Sequence, residues 1–119
     1  MNITFKAIRD AGDLDKERSV FVVSADADIG GFLALLSPFS PEGTPFSGRR
    51  ISYWFPDQTV KAGDLVVLYT RGGKTNSSQN KDGSSSYFFY WGLKEAQFGV
   101  PKMGVVLLRA PEWIKGRPE

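Results

Sequence analysis

An all-β domain, either a two-layer sandwich or a small barrel, is the fold class this sequence predicts, and three observations carry that prediction. Short apolar or β-branched segments alternate with turn-forming ones along the chain, and no amphipathic helix longer than two turns can be drawn. The segment Ile51–Thr70, ISYWFPDQTVKAGDLVVLYT, reads as two strands joined by a turn-rich connector. About seven strands follow from this reading, with no internal repeat.

Ile3–Ala7 alternates apolar with polar residues, as a half-exposed strand near a sheet edge does. After the polar turn at residues 10–16, Ser19–Val23 is β-branched and aromatic, and Ile29–Leu36 repeats the theme beyond Asp26-Ala27-Asp28. Gly30-Gly31 inside that segment favours a strand with a bulge or a close backbone approach over a helical turn. Residues 37–50 hold three prolines and two glycines without periodicity, which predicts a loop. In the strand that follows, Ile51, Tyr53 and Phe55 share one face, and Ser52 and Trp54 the other. Pro56-Asp57 ends it, and Gly63 offers the positive φ of a tight turn before Leu65–Tyr69, which makes a hairpin-like unit. Residues 71–86 contain no apolar side chain, so burial cannot offset their ordering entropy and a mobile loop is expected. Tyr87–Trp91 is five consecutive aromatics, a strand that loads both faces of its sheet; Val105–Leu108 is the last strong strand, ahead of a polar tail at 114–119.

At 119 residues, with 41% hydrophobic and 13% aromatic side chains, the chain suits one domain (1–119) with one core. It has no cysteine, which removes disulfides and thiolate chemistry, and no histidine, which removes the usual neutral-pH base and metal ligand. Its apolar runs are too short to span a bilayer and its start lacks a signal-peptide pattern, so a cytoplasmic protein is expected. The net charge of +2 argues for no particular partner, although residues 61–119 carry nine bases against five acids.

Four constellations bear on function. Gly72-Gly73-Lys74-Thr75 has the ending of a phosphate-binding loop, but the upstream glycine position is Leu68 and no helix follows, so a hairpin loop is the better reading. Asp10, Asp13, Asp15, Glu17, Asp26 and Asp28 have neither the glycine nor the glutamate spacing of a calcium loop, and are expected as solvated turn and cap residues; no metal or cofactor is expected. Arg71, Lys74 and Lys81 beside Tyr87–Trp91 combine cations with aromatics as single-strand nucleic-acid binders do. Asp57 and Asp64 near the connector turn are the candidate pair for a carboxylate hydrolase, which requires a cleft holding them together.

Aromatic surface exceeds what one core needs, because only one face of each sandwich strand points inward. The outer face around Trp54 and Trp91, flanked by Arg49 and Arg50, is therefore the expected binding surface, since exposed apolar patches with aromatic and arginine anchors mark interfaces.

The order of Gly30-Gly31-Phe32, Tyr53-Trp54-Phe55-Pro56, Val60–Gly63 before Leu65–Tyr69, and Tyr90-Trp91-Gly92 resembles the lamin tail domain over roughly residues 3 to 110. That resemblance implies an immunoglobulin-like β-sandwich, closest to small stand-alone bacterial versions. No coiled-coil rod or heptad is present, so filament assembly is not implied. It also implies a non-enzymatic interaction module without catalytic residues, engaging a protein partner or a second copy, with nucleic acid as the alternative.

Overall fold

The computed structural model describes residues 1–118, whose regular structure is almost entirely strand. The strands are β1 (Ile3–Arg9), β2 (Arg18–Val23), β3 (Ala27–Asp28), β4 (Phe32–Pro38), β5 (Ser52–Trp54), β6 (Thr59–Val60), β7 (Leu65–Tyr69), β8 (Asn76–Gln79), β9 (Ser85–Tyr90) and β10 (Met103–Arg109). They form a five-stranded sheet in the order β1-β2-β7-β9-β8, a three-stranded sheet β10-β4-β5 and a two-stranded pair β3-β6. No helix among the described residues is long and apolar enough to cross a membrane.

Alternation builds both layers. On the five-stranded sheet, Phe21, Val66, Leu68 and Phe89 point into one core; on the three-stranded sheet, Phe32 and Ala34 do so, and Phe55 joins them just beyond β5. The Phe55 and Phe89 rings meet edge to face at 5.1 Å and tie the layers together. Each such side chain contributes about 1.5–3 kcal/mol by leaving water, so the shared core is what fixes the two sheets against each other. β1 is an edge strand, as its alternation predicts, and it carries a register irregularity between Phe5 and Ala7.

Several expectations change. β5 and β7 are not a hairpin: β5 pairs with β4, while β7 lies between β2 and β9 in the other sheet. The connector crosses between layers, and on its way β6 pairs with β3. Gly63 does take the positive φ of a turn, at 94°. Tyr53 and Phe55 point inward as expected, but Ile51 lies before the strand and is half exposed. Ile29–Gly31 form one turn of 3-10 helix, begun by Asp28, whose Oδ1 accepts from the Gly30 amide at 2.8 Å, and the strand starts only at Phe32. Gly30 does mark a close approach, because a Cβ there would lie 2.9 Å from the Asp57 Cα.

Residues 71–86 are not a bare loop. Asn76–Gln79 pair antiparallel with β9, and β9 in turn runs parallel to β7. Main-chain pairing with a strongly apolar neighbour supplies what the exposed side chains of β8 cannot. The turn is held by its own chemistry: Asp82 accepts from the Ser84 amide at 2.9 Å and from its hydroxyl, Gly83 has φ 88°, and Asn80 bonds Ser84. Those bonds hold the exposed Asp82 carboxyl below its usual range.

Candidate functional site

The outer face of the three-stranded sheet is assembled from the residues that alternate with the core. Phe32, Ala34 and Leu36 of β4 point inward, so Leu33 and Leu35 point out. Register places Leu108 and Trp54 on either side of Leu33, and Val106 beside Leu35. Trp54 is 50% and Leu108 43% exposed, so this layer ends in an apolar surface rather than the polar outer face usual for an antiparallel sheet. The indole of Trp54 is fixed at its polar end, where Nε1 donates to the Gly30 carbonyl at 2.8 Å. Trp113 meets it edge to face, with ring centroids 5.3 Å apart.

The 39–50 loop folds over one end of this face. Ser37 Oγ donates to the Phe46 carbonyl at 3.1 Å, and a shallow depression of about 300 Å³ lies between Leu35, Phe46, Val106 and Leu108. Arg50 braces the loop: its Nε donates to the Phe46 carbonyl at 3.0 Å and its guanidinium to the carbonyls of Ser47 and Arg49. Arg49 is exposed beside it.

Trp91 is not on this face. Its ring is half-buried against the core, 6.0 Å from Tyr53, and Tyr53 is on the side of β5 opposite Trp54. The structure thus puts Trp54 and the loop braced by Arg50 on the outer side of the three-stranded sheet, and sends Trp91 inward. Its Nε1 is buried with no hydrogen-bond partner. The Tyr53 hydroxyl has its pKa pushed up by burial in the same region.

The cations and aromatics considered for nucleic acid are arranged differently from a stacking platform. Phe88 and Tyr90 point outward from β9, and Tyr90 stacks on Tyr69 of β7 at 5.2 Å and 10°. Arg18 lies over Tyr69 at 5.8 Å, and Arg71 lies 5.1 Å from both rings. Arg71 is itself pinned, donating to the carbonyls of Asp15 at 3.0 Å and Gly72 at 2.9 Å. Lys74 and Lys81 are exposed beyond opposite ends of β8, whose four residues span about 10 Å. The rings are thus engaged by one another and by arginines that are already bonded.

Gly73 belongs to the same stack, and this explains the second glycine of the Gly72-Gly73 pair without phosphate. A Cβ on Gly73 would lie 2.5 Å from Cδ1 and 2.7 Å from Cε1 of Tyr90. Gly73→Ala is therefore expected to cost about 1–3 kcal/mol by displacing the Tyr90 ring, read as a lower urea midpoint with an unchanged slope. Tyr90→Ala should make a subsequent Gly73→Ala nearly neutral.

Asp57 and Asp64 do not share a cleft. Asp64 is 5% exposed and is used structurally, accepting from the Lys61 amide of its own turn at 2.8 Å and from the Ser85 amide at the start of β9 at 2.9 Å. Asp57 instead lines an open cleft of about 400 Å³ with Asp28, Arg109 and Trp113. Within it Asp28 Oδ1 is committed to the amides of Gly30 and Gln58, the latter at 3.0 Å. Among the described residues no group of three or more metal-ligating side chains comes together.

Neither a protein-family model nor a curated protein sequence matches this chain.

One charged residue that sequence reasoning placed in solvent is the most buried acid among the described residues. Glu17 is 0% exposed, and both carboxylate oxygens are used. Oε1 accepts from the amides of Gly12 and Phe98, each at 2.9 Å; Oε2 accepts from the Gln97 amide at 2.9 Å and from the Thr70 hydroxyl. Burial alone would raise its pKa, but the bonds from Gln97, Thr70, Gly12 and Phe98 outweigh it and hold the carboxyl below its ordinary value. Glu17 thereby joins the β1–β2 turn, the end of β7 and the 92–101 loop. It is an architectural acid, since every acceptor site faces a protein donor. The only local signal was its position directly before a β-branched strand.

Proposed function

We propose that this protein is a non-enzymatic interaction module of the lamin-tail type, an immunoglobulin-like sandwich that docks a protein partner on the outer face of its three-stranded sheet. Two layers around one aromatic core support the architectural part of that reading. The observation that carries the functional part is the exposed apolar surface centred on Trp54, continuous with Leu33, Leu35, Val106 and Leu108 and bordered at one end by Arg50. An apolar centre with an indole anchor and a basic rim matches the composition of an interface core and its border. Its position on the outside of a sheet makes it dispensable for the core, as a docking surface must be.

Leu108→Glu and Trp54→Ala test this directly. Both variants are expected to keep a cooperative unfolding transition, and to lose, by about tenfold or more, whichever association the wild-type shows: self-association in sedimentation, or retention of a partner in a matched pull-down. Wild-type protein that stays monomeric, together with a partner profile identical in wild-type and both variants, would sink the proposal.

A further inference from the structure

A second surface, independent of the Trp54 face, lies along the edge of β10. The two larger sheets give four outer edges, and three of them are guarded. β1 is interrupted by its irregularity around Lys6, β8 is four exposed polar residues, and β5 is three residues long. These are the usual means by which sheets avoid adding a further strand. β10 has none of them: Met103–Arg109, MGVVLLR, pairs with β4 in unbroken register over all seven residues, with no proline.

The edge also has free main-chain groups. The Leu36 amide donates away from β10, to the Ile51 carbonyl at 3.0 Å, and Val105 stands opposite Leu36. In an antiparallel ladder this makes Leu36 and Val105 a pair that exchanges no hydrogen bonds, so the N–H and C=O of Val105 point to the open edge, and by the period of two those of Leu107 do as well. Beside them runs an apolar groove of about 390 Å³, between the sheets, lined by Phe5, Ile8, Phe39, Met103 and Val105 with Lys102 at its end. Phe5 is 54% exposed there although its register partner Phe21 is in the core. Free edge groups on every second residue, with inward side chains beside a gap, define a slot for one more strand.

We propose that β10 takes up an extended peptide from another protein as an added strand, with alternate apolar side chains entering the groove and acidic residues at its ends meeting Lys6, Arg9 and Lys102. The edge dictates an extended polypeptide, because its donors and acceptors recur about every 7 Å, the two-residue repeat of a strand. Charge dictates the flanks: the single ion pair among the described residues is Arg18 with Asp10, which leaves those three bases unpaired. A second copy fits less well. Antiparallel pairing of β10 with itself would bring Arg109 of one chain towards Lys102 of the other, like charges across a strand pair.

The probe is a short fluorescent peptide of alternating valine and threonine with paired glutamates at both ends, compared with the same peptide ended by lysines. Anisotropy should show saturable binding of the glutamate peptide, about tenfold or more tighter than the lysine peptide, with slowed amide exchange at Val105 and Leu107. Val105→Pro removes an edge donor and no ladder bond, and should abolish binding while the far-ultraviolet spectrum is kept. If that variant fails to fold, Lys102→Glu decides: it should narrow or reverse the preference between the two peptides. No saturable binding at millimolar peptide, equal affinity for the two peptides, binding unaffected by these variants, or exchange at Val105 slowed by dimerisation instead of by peptide would overturn the proposal. None of these outcomes depends on the Trp54 face, so the two readings fail separately.

Discussion

Glu17→Ala is expected to lower the stability of the protein by about 3–5 kcal/mol, close to the whole stability of many domains this size. The carboxylate takes bonds from three backbone amides and one hydroxyl, and its removal leaves the buried donors of Thr70 and Phe98 with no acceptor. Glu17→Gln keeps the shape but puts an amide NH2 where an oxygen accepted, so donor faces donor; its cost should be smaller but still about 2 kcal/mol or more. Chemical denaturation monitored by tryptophan fluorescence reads both. A loss under about 1 kcal/mol for the alanine variant would mean that the 92–101 loop does not depend on this acid.

The same carboxylate sets a pH dependence with a definite sign. Its pKa in the folded state is lowered from an ordinary value of 4.5, so the unfolded chain binds its proton more readily than the folded chain does. The stabilisation is therefore fully present above about pH 4.5 and is lost as pH falls through the lower, folded value. The wild-type urea midpoint should fall with acidification in that range, and Glu17→Gln should fall less steeply. Other carboxylates contribute to both curves, but the difference between the curves isolates Glu17.

What the sequence made legible was periodic. Alternation in Ile3–Ala7 and the apolar, β-branched runs Ser19–Val23 and Val105–Leu108 place strands within a few residues of β1, β2 and β10, and the split of Tyr53 and Phe55 from Trp54 survives because side chains on a strand have no other choice. Pairing was not legible, since nothing local distinguishes a strand that returns in the same sheet from one that crosses to the other, as the Pro56–Asp64 connector does. β8 was missed because it contributes no apolar side chain; it exists through main-chain bonds to a neighbour brought beside it by the Asn80–Ser84 turn. Glu17 was misplaced for the opposite reason. A charged residue near a polar turn reads as solvated, and only the long-range arrival of Thr70, Gln97 and Phe98 makes its burial possible. Trp54 on the outside followed from alternation; which set of the Tyr87–Trp91 run faces inward was not legible, and Phe89 in the core carries Tyr87 and Trp91 to the inner side with it, Trp91 against Tyr53.

The run Tyr87–Trp91 offers the sharpest test of how the layers are assigned, because adjacent aromatics of similar composition face opposite ways. Phe89 is 0% exposed and contacts Phe55 across the core, while Phe88 is half-buried on the outer face beside Tyr69, with ring centroids 6.3 Å apart. Phe89→Ala should cost about 3–5 kcal/mol, since it empties a ring-sized volume between two sheets that strand pairing prevents from closing. Phe88→Ala, losing partial cover and no enclosed volume, should cost about 1–2 kcal/mol. A coupling of about 0.5–1.5 kcal/mol between Phe55→Ala and Phe89→Ala in a double-mutant cycle would isolate the edge-to-face contact from general burial. Equal losses for Phe88→Ala and Phe89→Ala would place both residues in interiors, and would require something to cover the outer face of β9 that the isolated chain does not provide.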